Sequence, residues 1–405
     1  LIQIKKRPAR GWILAGFSAA TMRAVDGHND VQVCHGALSS LENRMSALFD
    51  SFTLKDVTLK NRIVVSPMCQ YSADDGRIND WHLVHLGAHA IGGAGLIIGE
   101  ATAVSPEGRI TPGCTGLWND AQAGLWSPVV SFLKKHGTVP GLQIAHAGRK
   151  AAANRPWEGD DHMKPDDPRS WEPIGPSEVA FGGNLPRVPR AMTKDDIVRV
   201  RGDFVAAAKR ALAVGFEWLE VHFAHGYLGQ SFFSPIANTR TDEYGGSFEN
   251  RIRFPVETFA AVREVWPERL PLTVRLGISD FSAESQPIEE SIELIRRFKS
   301  LGLDLIDVSI GFNSPDLSGV PWGPGFMVPF AERIKHEVGI PAAVGWFITE
   351  PARADAIVRD ERADLIMLAH AMLDDPQWPY HAAKALNIPD ATWILPAQYA
   401  HWIRA

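Results

Sequence analysis

The stretch Phe216-Glu217-Trp218-Leu219-Glu220-Val221-His222-Phe223-Ala224-His225-Gly226-Tyr227 decides how this chain is read. Its first half is an apolar-rich run short enough to be a buried strand. Its second half runs into a Gly-containing loop and crowds two imidazoles and a phenol where the strand gives way. Side chains on a continuing strand alternate faces, so His222 and His225 would point apart. If the chain turns after His222, both rings converge on one point at the strand's C-terminal end.

Working outward, the same unit recurs on both sides: a short apolar strand, a polar loop, an amphipathic helix. Strands are expected at 63–68, 95–100, 140–145, in the quoted stretch, and at 271–276, 304–309, 341–346 and 363–368. Helices are expected at 81–91, 126–135, 193–213, 247–265, 287–299, 328–337, 351–358 and, last, 378–386. Thr193 stands as the N-cap of the third of these. Eight alternations define an α/β fold, a closed parallel (β/α)₈ TIM barrel. The competing open, doubly wound sheet normally carries a glycine-rich dinucleotide turn after an early strand, and no G-x-G-x-x-G is present. One connection is unusually long. Residues 148–192, rich in Pro and Trp, have the length of a lid or binding loop.

The composition agrees. The chain has 405 residues, 45% hydrophobic and 22% charged, enough apolar material for a single large core. A net charge of −6 with no basic cluster in the body makes nucleic acid and anionic membrane unexpected partners. Cys34, Cys69 and Cys114 are widely spaced, suit a reducing, cytoplasmic setting, and form no disulfide framework, zinc motif or iron–sulfur ligand set. No apolar run is long enough to span a bilayer. Residues 1–44 differ from the rest: Lys5, Lys6, Arg7 and Arg10 precede a short apolar run at 11–17, and no acid appears before Asp26. A weak targeting peptide is one reading. The favoured one is an unstructured N-terminal extension before a start at Met45, with 45–405 forming the barrel.

In a TIM barrel the active site lies at the C-terminal ends of the strands. Those ends carry Met68, Cys69 and Tyr71; Glu100 and Ala101; Gln143 and His146; His222, His225 and Tyr227; Arg275; Ser309; Trp346; Ala369 and His370. The set offers donors, a thiol and aromatic rings, without the several carboxylates of a metal hydrolase or glycosidase. A planar, heteroatom-rich cofactor suits it better than a hard metal ion. His222 and His225 read in three ways: structural, metal-ligating with His146 as third ligand, or as two N–H donors gripping one oxygen. Arg275, late in an apolar strand, needs a partner; Glu100 and Glu220 are candidates for a structural ion pair, and an anionic ring is the functional alternative. Gln143 suits a uracil-like edge or simple backbone satisfaction. Cys69, Trp346 and Trp402, taken alone, read as packing residues.

Four segments carry a resemblance: Ser66-Pro67-Met68-Cys69-Gln70-Tyr71, Gln143-Ile144-Ala145-His146-Ala147-Gly148-Arg149, His222-Phe223-Ala224-His225-Gly226-Tyr227-Leu228, and residues 240–251. Through them the chain resembles the Old Yellow Enzyme family of FMN-dependent ene-reductases, and within it the xenobiotic-reductase branch. The resemblance spans Met45 to the C-terminus and implies a (β/α)₈ barrel with FMN at its mouth and NADPH or NADH as hydride donor. It implies that Pro67, Met68, Cys69, Ala101, Gln143 and Arg275 line the flavin, with Gln143 at the pyrimidine edge and Arg275 near N1 and O2. It implies that His222 and His225 hold a substrate carbonyl oxygen, that Tyr227 supplies a proton, and that Tyr71 and Trp346 shape the substrate pocket. Trp402 matches an aromatic residue that enters a neighbouring subunit's site, which implies a homo-oligomer, dimer or tetramer. The implied reaction carries hydride through FMN to the activated C=C of an α,β-unsaturated carbonyl compound; small enones, nitro compounds and quinones are the expected partners. One position departs from the family. Where strand eight usually ends in Gly-Arg around the FMN phosphate, this chain has Ala369-His370, so a weaker hold on FMN is expected, with the Trp346 and Phe347 backbone supplying further donors. Two readings stand beside this one: a metal-dependent TIM-barrel enzyme using His222 and His225, and a cofactor-poor binding barrel.

Overall fold

The structure is a computed structural model that describes residues 46–403. The expectations for residues 1–44 lie outside the described residues. Eight parallel strands close into one barrel: β1 (Ile63–Val65), β2 (Leu96–Ala103), β3 (Val139–Ala145), β4 (Trp218–Phe223), β5 (Leu272–Gly277), β6 (Leu305–Ser309), β7 (Ala342–Val344) and β8 (Leu365–Leu368). Each strand pairs with the next, and β8 pairs back onto β1. The strands are Val-, Ile- and Leu-rich because helices cover their outer faces and side chains fill the interior, so both faces are buried. A short antiparallel hairpin, Phe52–Leu54 with Val57–Leu59, precedes β1; the Asp56 amide reaches the Arg269 carbonyl ahead of β5, which puts the hairpin at the barrel's N-terminal end.

The departures of the strands from the expected elements lie at the mouth. β1 and β7 have only three residues each, because the chain leaves the ladder at Ser66 and Gly345 to build loops there. β2 is longer than expected and its register with β3 shifts between Gly99 and Thr102. That bulge re-aims Glu100 and Ala101. The helix expected at 247–265 is divided into Phe248–Arg251 and Arg253–Val265, and the one expected at 328–337 is Val328–Ile334 followed by a π-turn, Lys335–Gly339. The helix Trp378–Ala385 is not the last; Ala397–Ile403 follows it.

The connection 148–192 carries one short parallel ladder, Ile174–Gly175 with Arg190–Ala191, and is otherwise ordered largely by arginines. Arg149 is 1% exposed, and its guanidinium donates to the carbonyls of Val179, Ala180 and Asn313. Arg240 donates to the Pro176 carbonyl at 2.8 Å and to that of Met192 at 2.7 Å, while its fork grips Asp242. Asn250 and Arg251 close the same loop by donating to the carbonyls of Gly245 and Gly246. Residues 240–251 therefore form a scaffold that satisfies loop carbonyls and pins the long connection over the barrel mouth.

Candidate active site

The chain turns after His222, as convergence requires. Ala224 ends the strand, and His225 and Gly226 take left-handed backbone with φ of 61° and 69°. The His225 amide donates to the Ile310 carbonyl, tying the turn to the end of β6. Gly226 has no alternative, because a Cβ there would lie 2.1 Å from the Phe312 carbonyl oxygen. The imidazole centroids of His222 and His225 come within 4.9 Å at 89°, and the Tyr227 ring lies 5.1 Å from that of His222.

The hydrogen bonds assign the His222 proton and anchor the His225 ring. His222 Nδ1 accepts from the Ala224 amide at 3.2 Å, which leaves its N–H on Nε2. His225 Nε2 lies 2.8 Å from Ser309 Oγ, and that oxygen already accepts from Trp346 Nε1 at 3.3 Å. That contact anchors the His225 ring through Nε2 and turns Nδ1 away from Ser309. Burial, followed by the charges of Arg275 and Lys150, holds the His222 basicity well below the usual imidazole range; for His225 the causes are burial, Arg275, His222 and Lys150. Both rings are neutral donors.

Beneath them lies a charged floor. His222, Arg275 and Asp307 are register partners on β4, β5 and β6, and Gln143 and Glu220 are partners on β3 and β4. Side chains in register share a face, so these five point into the barrel. Arg275 pairs with Asp307, Nε to Oδ2 at 3.0 Å, and not with Glu100 or Glu220, the partners expected from sequence. Register explains the choice: Asp307 is directly across the ladder from Arg275. Glu220 Oε1 instead accepts from Gln143 Nε2 at 2.8 Å. Glu100 lies elsewhere, its carboxylate accepting from the Gln70 amide and lying 3.5 Å from His82 Nε2.

One wall is the Ser66–Tyr71 loop. Cys69 is half-buried; burial, then Cys114 and Glu100, push its thiol well above the usual range, against hydrogen bonds from the Ala101 amide and the Tyr71 hydroxyl. Tyr71 holds φ at 51° and packs edge-on against Trp157 from the long connection. The opposite wall is aromatic: Trp346 contacts the rings of His225, Phe312, Trp322, Phe326 and Phe347. Phe312, Trp322 and Phe326 lie in the connection after β6, which sequence reading passed over. Its signal was available: residues 310–327 contain three aromatics and no helical period. Lys150 was also missed. Its ammonium donates to the His225 carbonyl at 2.7 Å and sits 5.8 Å from the Tyr227 ring centroid, and burial lowers its pKa to about 7.

These residues fit a flavin. Pro67, Met68 and Cys69 offer an apolar, polarizable wall. With Gln143 Nε2 committed to Glu220, its carbonyl oxygen is left to accept a ring N–H, beside a cationic Arg275. Trp346 and Phe347 are consecutive residues in left-handed backbone, φ 71° and 54°, and neither amide has a protein acceptor among the described residues, as expected of donors aimed at an anionic group. Ala369 and His370 close the ring at the start of the helix His370–Asp374. His146, the candidate third metal ligand, is not brought into the group. His146 Nδ1 accepts from the Gly148 amide at 3.0 Å, and no three His, Cys, Asp or Glu among the described residues are disposed to share a metal. Trp402 is 83% exposed, its ring contact being with His401.

A mouth of this kind defines a flavin-dependent oxidoreductase, and comparison with known proteins agrees. Residues 47–388 match the NADH:flavin oxidoreductase / NADH oxidase family. A NADPH dehydrogenase of Geobacillus thermodenitrificans (strain NG80-2) is 42% identical over 345 residues, covering 85% of this chain and 95% of that one. Morphinone reductase superposes with a TM-score of 0.71 at 27% identity, covering 84% of this chain and 90% of that one. The Old Yellow Enzyme homologue of Zymomonas mobilis superposes with a TM-score of 0.68 at 25% identity, covering 85% and 93%. The chain belongs to this family, that of Old Yellow Enzyme. It is an NAD(P)H-dependent flavin oxidoreductase with FMN as cofactor.

Proposed function

We propose that the protein is an ene-reductase of the xenobiotic-reductase type, moving hydride from a reduced nicotinamide through FMN to the activated C=C of an α,β-unsaturated carbonyl compound. The observation that carries this reading is the pair of neutral imidazoles, His222 with its proton on Nε2 and His225 anchored to Ser309 through Nε2, their rings 4.9 Å apart beside Tyr227. FMN held by the residues of the mouth would supply two-electron hydride chemistry. His222 and His225 hold the carbonyl oxygen and stabilise the charge that develops on it as the β-carbon is attacked. Their neutrality matters, because a neutral donor assists without surrendering its proton. Tyr227 is placed to protonate the α-carbon; burial, then the thiols Cys69 and Cys114, push its phenol well above the usual range, so it holds its proton until a carbanion demands it. Tyr71 and the Trp346 wall exclude water and select flat substrates. Nicotinamide and alkene meet the same site in turn, which gives ping-pong kinetics.

The donor is NADPH on the strength of the relatives' names, with NADH the alternative. Cys69 and Cys114 carry free thiols, and we place the protein in the cytoplasm. No helix among the described residues is long and apolar enough to cross a membrane. The helix Ala397–Ile403 presents Trp402, Tyr399 and Ile403 outward, and we infer that it docks on a second copy of the chain near that copy's mouth. Light scattering should give a dimer or tetramer that W402A weakens; an unchanged monomer in both would remove this inference.

Anaerobic titration of the purified holoprotein with NADPH, followed by cyclohexenone, tests the main reading. Bleaching of the flavin bands and their recovery on adding the enone are expected. Bleaching reversed by a quinone but not by any enone or nitro compound would refute ene-reduction and leave the nicotinamide half-reaction standing.

A further inference from the structure

The floor of the barrel mouth holds more negative charge than its single cation can balance. Glu220 and Asp307 are each 1% exposed, and Arg275 is the cation between them. Arg275 Nε is 3.0 Å from Asp307 Oδ2, off-line for a hydrogen bond, and neither Asp307 oxygen has a hydrogen-bond partner among the described residues. The groups facing the two carboxylates can be enumerated from the register. Glu220 lies between Gln143 and Thr273; Asp307 lies between Arg275 and Ala343; His222, across the ladder from Arg275, is neutral. Arg275 also reaches Ser66 Oγ at 3.4 Å, an uncharged contact. Two fully buried carboxylates cannot both stay ionised against one guanidinium without leaving an uncompensated buried charge.

We propose that Glu220 and Asp307 act as a charge-compensating dyad beneath the flavin, one of the two protonated when the cofactor is oxidised and both protonated when it is reduced. Each arrival of hydride adds one negative charge beside Arg275. The guanidinium then turns its charge upward, and the carboxylate it leaves is neutralised by a proton from solvent, forming a new O–H bond. The nicotinamide supplies the hydride and both electrons; solvent supplies the proton; reoxidation by substrate releases that proton. Glu220 and Asp307 touch neither substrate nor flavin, so they are positioning residues. Burial, followed by the charge of Asp307, raises the Glu220 carboxyl to about 8, which is consistent with a carboxyl that stays protonated near neutrality. Glu220 also fixes the Gln143 amide by accepting from it. The inference requires bound FMN and a floor of this geometry, and it does not depend on the identity of the oxidising substrate.

The test is the pH dependence of the flavin midpoint potential in the holoprotein, followed spectroscopically. For a two-electron couple each proton taken up contributes about 30 mV per pH unit. Hydride uptake alone gives a slope of about −30 mV per pH unit, and dyad uptake steepens it to about −60 mV. The wild type should show the steeper slope between roughly pH 6 and 8; E220Q and D307N, each of which leaves one carboxylate for Arg275 to release, should keep it, and the E220Q/D307N double variant, which keeps size and hydrogen-bonding capacity, should fall back toward the shallower one. A wild-type slope of about −30 mV overturns the proposal. So does a steep slope that survives in the E220Q/D307N double variant, since the second proton would then sit on the flavin. Redox-difference infrared spectra of the wild type give a readout independent of the variants: a carboxylic-acid C=O band that grows on reduction supports the dyad, and no carboxyl signal overturns it.

Discussion

Replacing His222 with alanine tests the donor pair at its better-defined member. The tautomer of His222 is fixed by the Ala224 amide, its ring is 2% exposed, and it stands at right angles to His225. Removing one preorganised donor from a site that develops charge on oxygen costs roughly 10²–10³ in rate, or about 2.7–4 kcal/mol of barrier. The lower end is expected here. Truncating an imidazole to a methyl leaves space for a water beside polar partners, and that water returns part of the lost hydrogen bond. His225 and its Ser309 anchor remain in place. The assay is stopped-flow reoxidation of prereduced holoenzyme by cyclohexenone, which isolates the step in which the carbonyl is polarised. FMN content is measured beside it, so that a loss of cofactor is not read as a loss of catalysis. The expected result is a fall of about a hundredfold in the reoxidation rate with FMN retained. A change smaller than about threefold, with FMN bound and the flavin spectrum unaltered, would refute the assignment of His222 as an oxyanion donor.

G226A should cost about 1–3 kcal/mol of stability, because its Cβ would meet the Phe312 carbonyl in left-handed backbone; chemical denaturation measures the cost, and a midpoint within error of wild type would contradict the geometry. Acid should destabilise the protein: burial lowers His89 and His146, each 1% exposed, to about 4, so between about pH 6.5 and 4 the unfolded chain binds protons that the folded chain refuses, costing up to about 1.4 kcal/mol per pH unit for each ring. The thermal midpoint should therefore be lower at pH 5 than at pH 7, and an equal or higher value at pH 5 would show that these rings are accessible to protons. H370R should tighten FMN about tenfold or more, since a charge-assisted bond to phosphate contributes about 1.5–3 kcal/mol; fluorescence titration of apoprotein with FMN measures it, and equal affinities would show that His370 is not at the phosphate.

The barrel was legible because its signal is periodic and redundant: eight apolar runs alternate with eight amphipathic ones, and burial of both strand faces leaves little else for those runs to do. What the periodicity does not encode is where a strand stops pairing. β1 and β7 end three residues in, since Ser66 and Gly345 leave the ladder to build the mouth, and the β2 bulge depends on contacts with β3 that no local pattern records. The same limit hid the connection after β6. Phe312, Trp322 and Phe326 become a wall only once the ends of β6 and β7 stand side by side.

The site shows the same division. His222, His225 and Tyr227 were legible as a cluster because they are local in sequence, needing only a turn that Gly226 permits. The partner of Arg275 was not, because it is set by register between strands 32 residues apart, and Asp307 occupies the position across the ladder that neither Glu100 nor Glu220 can reach. That pairing has a consequence for the histidines. The Arg275 charge lowers the basicity of both rings, and Asp307 is the carboxylate paired with that charge. A substitution at Asp307 therefore leaves the guanidinium less compensated, and by Coulomb's law the imidazoles become harder to protonate. The donor pair stays neutral in D307N. Any change that this substitution makes in the pH dependence of the flavin potential then arises in the floor and not in the hands that hold the substrate.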